Sequence, residues 1–174
     1  TGCTGGSDEP TPGASPSGVP SDPAAAIAAA VSPGSYATTA SDYRLEDLQI
    51  PGVRLPVEVE GHVVGPLGAT GPLPLVAFLH GYTASCWRAS DGSSTTDWPC
   101  PKGFRPIPSW RGFTYLQERL ASQGYLTVSL SANGVNVMAT EMGDDAGAEA
   151  RSALVAHHLD RWASGSVPNL EEWP

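Results

Sequence analysis

The chain has 174 residues, of which 18 are acidic and 9 are basic, giving a formal net charge of −9 at pH 7. This length indicates one domain preceded by a tail. The negative charge argues against nucleic acid or an anionic surface as the main partner, and no apolar run approaches the length needed to span a bilayer.

The first 34 residues are a separate block rich in Pro, Gly, Ser and Ala. Such a segment cannot bury enough apolar area to offset the entropy of ordering it, so residues 1–34 are predicted to be a disordered linker. Residues 24–31 could form only a short helix, because Pro23 and Pro33 limit it. Residues 35–174 are predicted to form the folded domain.

Thr1-Gly2-Cys3 resembles the end of a bacterial lipoprotein signal, in which the cysteine receives the lipid. The resemblance implies lipidation at Cys3, and a free or incidental cysteine is the alternative. A flexible tail after such a cysteine suits a tethered extracytoplasmic domain. We therefore expect a chain that is anchored to the cell membrane or secreted, with membrane contact only through the lipid.

Two β-strands precede the middle of the chain. Apolar and polar residues alternate over 57–64, which predicts a half-exposed, antiparallel strand near a sheet edge. Residues 75–79 are continuously apolar and end at His80-Gly81-Tyr82, which indicates a buried parallel strand. Open α/β sheets bind ligands beyond the carboxyl ends of such strands.

Residues 83–112 form a long insertion that contains Cys86 and Cys100. A structureless loop of this length is usually functional or stapled, and in an exported protein these cysteines predict a disulfide. A zinc site formed by both cysteines and His80 is the alternative, although it lacks a CxxC unit and a fourth ligand. No metal is expected.

The remaining elements are predicted to be two helices and a strand. A helix over 113–123, with Leu116 and Leu120 on its buried face and Gly124 at its end, precedes a parallel strand at 125–130. A last helix begins with Asp144 and Asp145 and ends at Gly165. Its predicted buried face comprises Ala148, Val155, Leu159 and Trp162. The rhythm is βαβα, which defines the α/β class.

The titratable residues near the last helix do not suggest a metal site. His158 borders the apolar stripe and is expected to pack there, whereas His157 should point to solvent. Glu141, Asp144, Asp145 and Glu149 lack the EF-hand spacing and are better explained as charge at a helix N-terminus.

His80-Gly81-Tyr82-Thr83-Ala84-Ser85 resembles the turn after the third strand in the dienelactone-hydrolase and polyester-hydrolase (cutinase-like) branch of the α/β-hydrolases. The resemblance covers roughly residues 36–165. It implies the N-terminal portion of a mostly parallel sheet with helices on both faces. It also implies that the Tyr82 N–H forms part of the oxyanion hole, with the Tyr82 ring as a wall of the substrate cleft.

No serine in the chain has glycine at both −2 and +2, so a nucleophile elbow is absent. Ser85, the serine nearest the turn, lacks the elbow that would strain and expose it. The sequence therefore predicts the N-terminal segment of an exported serine hydrolase acting on carboxylic esters, inactive alone. Nucleophile, acid and base are expected after Pro174, in a C-terminal half of the same domain. No cofactor is expected. The rival hypothesis is a non-catalytic lipoprotein module that binds a partner or cell-wall component through its Trp-rich loop.

Overall fold

The computed structural model describes residues 22–139 and 145–167, and the chain divides into two units at Ser32. In the first unit, α1 spans Pro23–Val31. Asp22 accepts a hydrogen bond from the Ala24 N–H at 2.9 Å, and Pro23 takes the first helical position, where its missing N–H costs nothing. Residues 1–21, which include Cys3 and most of the predicted linker, lie outside the described residues.

The second unit is a mixed α/β domain around a four-stranded sheet of order β1-β2-β7-β3. The strands are β1 (Thr38–Arg44), β2 (Glu60–Pro66), β3 (Leu75–Leu79) and β7 (Leu126–Leu130). Only the β3–β7 pair is parallel; β1–β2 and β2–β7 are antiparallel. The expectation of a mostly parallel sheet is therefore wrong for the described strands, whereas the parallel pairing of β3 with β7 is confirmed.

Strand β2 is antiparallel, as predicted, but it is not half-exposed. It lies inside the sheet because β1 covers its outer edge, and its residues from Gly61 onward are buried. Residues 57–59 precede this strand, and Val57 pairs with Leu48 in an isolated antiparallel β-bridge. The alternation of apolar and polar residues predicted the wrong exposure for this segment, because the polar residues Glu58 and His62 are buried against polar partners.

Strand β3 is less buried than its composition predicts. Leu75 is 38 % exposed and the rest of the strand is at most half-buried, whereas every residue of β7 is buried. The reason is position: β7 has a strand on each side, and β3 pairs only with β7 among the described strands.

The first predicted helix exists but buries a different face. A 3₁₀ turn at Ser109–Phe113 leads into α2 at Thr114–Ser122, and Gly124 follows at φ 95°. Leu116 is 37 % exposed and Leu120 only partly buried, while Gln117 and Ala121 are fully buried. The apolar spacing thus identified the helix and misassigned its inner face.

The last predicted helix is α4, at Ala148–Ala163, and it too is rotated from the expected face. Its buried residues are Ala150, Leu154 and His158. The predicted core residues are exposed or only partly buried: Ala148, Val155, Leu159 and Trp162. As predicted, Gly165 ends the helix, at φ 65°.

Helix α3, at Asn133–Ala139, was not predicted. It follows β7 directly and contributes Val135 and Met138 to a core with Leu154. Helix α2 covers one face of the sheet through Gln117, which contacts Thr127. Helix α4 covers the other face, where Val155 and Trp162 pack beside Val128. Helices on both faces are therefore confirmed.

The insertion after Tyr82 is folded and not a structureless loop. Its strands are β4 (Cys86–Trp87), β5 (Ser94–Thr95) and β6 (Arg105–Pro106), which form an antiparallel sheet of order β5-β4-β6. The predicted Cys86–Cys100 disulfide is present. Because both sulfurs are used in this bond, the zinc alternative with His80 is excluded.

Candidate active site

The turn after β3 lies beside the carboxyl end of β7, because the two strands run parallel and in register from Leu75 and Leu126 to Leu79 and Leu130. His80, Gly81 and Tyr82 follow β3, and Ser131 to Asn133 follow β7. The three predicted residues of the turn are thus brought to the edge of the sheet where α/β proteins bind ligands.

A pocket of about 540 Å³ opens at this edge. It is lined by Leu79, His80, Gly81, Tyr82, Asn136, Ala146 and Arg151. The Tyr82 side chain is 56 % exposed. Tyr82, the residue predicted to form a cleft wall, therefore lines a pocket of the size that small-molecule sites usually have.

His80 is buried and both of its ring nitrogens are occupied. Its Nε2 accepts a hydrogen bond from the Ala132 N–H at 2.9 Å, and its Nδ1 lies 3.0 Å from the Gly81 carbonyl oxygen. This pattern requires a neutral ring with its proton on Nδ1. Burial lowers the pKa of His80, against a smaller raising effect of the Gly81 contact. The ring ties the end of β3 to the end of β7.

Asn136 also holds this turn in place. Its Nδ2 donates to the carbonyl oxygens of His80 and Gly81, at 3.3 and 3.1 Å. Asn136 is 3 % exposed and belongs to α3. The sequence analysis missed it, although one signal was available: two asparagines, Asn133 and Asn136, directly follow a buried strand and lie one helical turn apart.

The Tyr82 N–H makes no hydrogen bond to the described residues, whereas the carbonyl of the same peptide group is bonded twice. An unpaired backbone donor on a residue that lines a pocket is one requirement of an oxyanion hole. The other pocket residues that the sequence analysis missed are Ala146 and Arg151, and Arg151 Nη2 donates to the Ala146 carbonyl at 2.9 Å.

Glu58 anchors the start of α3 through hydrogen bonds. Its carboxylate accepts hydrogen bonds from Ser131 Oγ at 2.7 Å and from the Gly134 N–H at 3.0 Å. A Cβ at Gly134 would lie 2.6 Å from both Glu58 Oε2 and Trp98 Nε1, so glycine is needed there. Burial raises the pKa of Glu58, and these hydrogen bonds oppose the shift. This carboxylate anchors the start of the helix that carries Asn136.

Ser85 is not placed as a nucleophile would be. It is 1 % exposed, its N–H donates to the Thr95 carbonyl, and its own carbonyl accepts from the Ile107 N–H. Ser85 therefore closes the base of the insertion, and it does not line the pocket.

The histidines of α4 lie away from the pocket. His158 is buried, as predicted, with Nδ1 2.7 Å from the Tyr43 hydroxyl. Burial lowers the pKa of His158 to about 4, with a smaller contribution from the charge of His157. His157 is half-buried and does not point freely to solvent.

The acidic residues predicted at the start of the last helix are partly described. Asp145 accepts hydrogen bonds from the N–H groups of Gly147 and Glu149, both at 2.8 Å, and these bonds lower its pKa. This is the predicted role at a helix N-terminus. Glu141 and Asp144 lie outside the described residues, and the part of the chain that is described holds no metal-binding group of three or more His, Cys, Asp or Glu residues.

Comparisons with protein family models, with curated proteins and with solved structures gave no match. The class that the structure itself defines is a mixed α/β domain with a disulfide-bonded insertion. Such a disulfide is typical of proteins that fold outside the cytoplasm. Among the described residues, no helix has the length and apolar character needed to cross a membrane.

Proposed function

We propose that this chain is the N-terminal segment of an exported serine hydrolase of the α/β-hydrolase superfamily, acting on carboxylic esters. The observation that carries the proposal is the peptide group between Gly81 and Tyr82: its N–H has no hydrogen-bond partner among the described residues, its carbonyl accepts two hydrogen bonds, and Tyr82 lines the pocket. In ester hydrolysis, such a donor stabilises the oxyanion that forms when a serine attacks the substrate carbonyl, and one donor contributes about 3 kcal/mol.

The strand order of the sheet supports the same proposal. In the α/β-hydrolase arrangement, the strand before this turn lies between the next strand of the chain and the nucleophile strand. Here β3 pairs with β7 on one side, and no described strand pairs with its other edge. The partly exposed β3, with Leu75 38 % exposed, suits an edge that another strand covers.

The segment supplies substrate contacts and not the nucleophile. Ser85 is buried in the base of the insertion, and no serine has the glycine spacing of a nucleophile elbow. The proposal therefore assigns nucleophile, acid and base to residues beyond Pro174, in the C-terminal half of the domain. An in-frame Gly-x-Ser-x-Gly soon after Pro174 supports it, and a stop codon there contradicts it.

The disulfide supports export, and lipidation at Cys3 would anchor the protein to the membrane. The rival function, a binding module that uses the Trp-rich loop, is less well supported. Of the tryptophans in that loop, Trp98 packs against the hydrophobic core and Trp110 is half-buried, while Trp87 is 39 % exposed. One exposed indole is a small surface for recognising a partner.

The test uses 4-nitrophenyl butyrate and the longest polypeptide that the gene encodes around residues 1–174. Tyr82→Ala removes the ring and keeps the N–H, so we expect KM to rise several-fold and kcat to stay within about threefold. Tyr82→Pro also removes the donor, so kcat should fall about 10²- to 10³-fold.

The matched control is Tyr115→Ala, since Tyr115 is 68 % exposed and lies on α2, outside the pocket. It should leave both constants unchanged. Near-neutral and equal effects of the two Tyr82 variants would remove this turn from the active site.

A further inference from the structure

We propose that Asn136 is a positioning residue, which acts through the Gly81 carbonyl to fix the direction of the Tyr82 N–H. The inference rests on the proposed function, because it names a residue that the same site needs. Asn136 Nδ2 has two hydrogens, and two carbonyl oxygens lie within bonding distance of it, those of His80 and Gly81.

The link from Asn136 to Tyr82 is the planarity of the peptide bond. In a trans peptide, the N–H points opposite to the carbonyl of the same unit. The Gly81 carbonyl oxygen is held by Asn136 Nδ2 at 3.1 Å and by His80 Nδ1 at 3.0 Å. Fixing this oxygen from two sides therefore fixes the Tyr82 N–H as well.

No neighbouring side chain or backbone atom occupies the space beside the Gly81 Cα, because an added Cβ there would meet nothing within 4 Å. Glycine also populates both signs of φ with similar ease. Without the two hydrogen bonds, the Gly81–Tyr82 peptide could rotate, and the direction of the Tyr82 N–H would no longer be fixed.

The two hydrogen bonds to the Gly81 carbonyl come from different parts of the fold. His80 belongs to the turn itself, whereas Asn136 belongs to α3, whose start is anchored by Glu58. The buried Asn136 amide thus couples the orientation of a pocket donor to the placement of a helix that does not contain it. This is why the positioning function falls on Asn136 and cannot be read from the turn sequence.

The test variant is Asn136→Asp, which keeps the size of the side chain but replaces its two N–H donors by an acceptor. Catalytic hydrogen-bond donors that are misplaced by about 1 Å can cost up to 10²-fold in rate. We therefore expect kcat for 4-nitrophenyl butyrate to fall about 10- to 100-fold, with KM within about twofold. Asn136→Ser, which is shorter and uncharged, should lower kcat in the same way and serves if the aspartate variant does not fold.

The chain offers a matched control in Asn133→Asp. Asn133 lies on the same helix, is 2 % exposed, and donates to the Ile107 carbonyl instead of to the turn. This variant makes the same chemical change at similar burial, so it should lose similar thermal stability and keep kcat. Equal kcat values for the Asn133 and Asn136 variants would overturn the inference.

A second readout separates this inference from the proposed function. In a ¹⁵N–¹H correlation spectrum of the same polypeptide, Asn136→Asp should shift the Tyr82 amide resonance and change its exchange with solvent, whereas Asn133→Asp should not. If the wild type hydrolyses no ester, the proposed function is wrong, and the amide readout still decides whether Asn136 orients the peptide. An unchanged Tyr82 amide in the Asn136 variants would overturn the positioning role whatever the activity.

Discussion

The two faces of the central sheet are held in different ways. Under α2, polar residues are buried beside the apolar Val64 and Ala121: Gln117 donates to the His62 carbonyl at 2.9 Å and lies 3.4 Å from Thr127 Oγ1. Under α4 they are mostly apolar, with Val63 and Val128 at 1 % exposure or less. One helix is fixed to the sheet by directional hydrogen bonds, and the other mainly by packing.

The difference shows that hydrophobic periodicity identifies a helix more reliably than it identifies the inner face. On α2 the buried position belongs to Gln117, and the apolar Leu116 beside it is exposed. On α4 the buried His158 likewise lies next to the exposed Leu159. In both cases a buried hydrogen-bond partner on the sheet turns the polar residue inward.

The largest effect should come from the apolar core that α4 forms with α3. Leu154 is fully buried in a core with Val135 and Met138, so Leu154→Ala should lower the free energy of unfolding by about 2–5 kcal/mol. Leu159→Ala on the same helix, where the side chain is 41 % exposed, should cost less than about 0.5 kcal/mol. Urea denaturation measures both, and a larger cost for Leu159→Ala than for Leu154→Ala would mean that α4 has the rotation predicted from sequence.

A pH dependence should follow from the one polar network under α4. Trp162 Nε1 donates to the Tyr43 hydroxyl, which lies 2.7 Å from His158 Nδ1. The pKa of His158 is about 4 in the folded state, below the ordinary value of 6.5, so the unfolded state binds more protons between these values. Stability should therefore fall as the pH drops from about 6.5 to 4, by up to about 3 kcal/mol from this group.

His158→Gln keeps an acceptor for Tyr43 but does not titrate, so its stability should fall less steeply over this pH range. His157→Gln is the control and should keep most of the wild-type slope. Parallel curves for wild type and His158→Gln would exclude His158 as the titrating group.

The smallest effect should come from the polar face. Gln117→Leu keeps the side-chain volume and loses the hydrogen bonds to β2 and β7, but it also removes Oε1, which is buried without a partner. These contributions partly cancel, so we expect a loss of about 1 kcal/mol. The exposed neighbour supplies the comparison, since Leu116→Ala should be near neutral. A loss for Gln117→Leu as large as that for Leu154→Ala would show that both faces depend on packing to the same degree.

Much of the domain was predictable from local pattern. The apolar run at 75–79 predicted a strand, Gly124 and Gly165 predicted helix ends, and the cysteine pair predicted the disulfide, because each signal lies within a few residues of its effect. Exposure was less predictable. It depends on which elements meet in space, and the burial of Glu58 and His62 depends on partners far away in the sequence.

The same distinction applies to the candidate site. The turn His80-Gly81-Tyr82 was found from sequence because its signal is contiguous. Asn136 was missed because its role appears only when α3 is packed against the turn, more than fifty residues later in the chain. Arg151, which lies on α4, joins the pocket for the same reason.

Ser85 has a consequence for how this domain can vary. Its N–H donates to the Thr95 carbonyl, and its carbonyl accepts from the Ile107 N–H. The start and the end of the insertion are therefore hydrogen-bonded to each other at Ser85. Residues 86–106 are therefore an excursion with a closed base. Changes in its length or sequence that keep Trp98, which packs against the hydrophobic core, should leave the hydrogen bonds at this base in place.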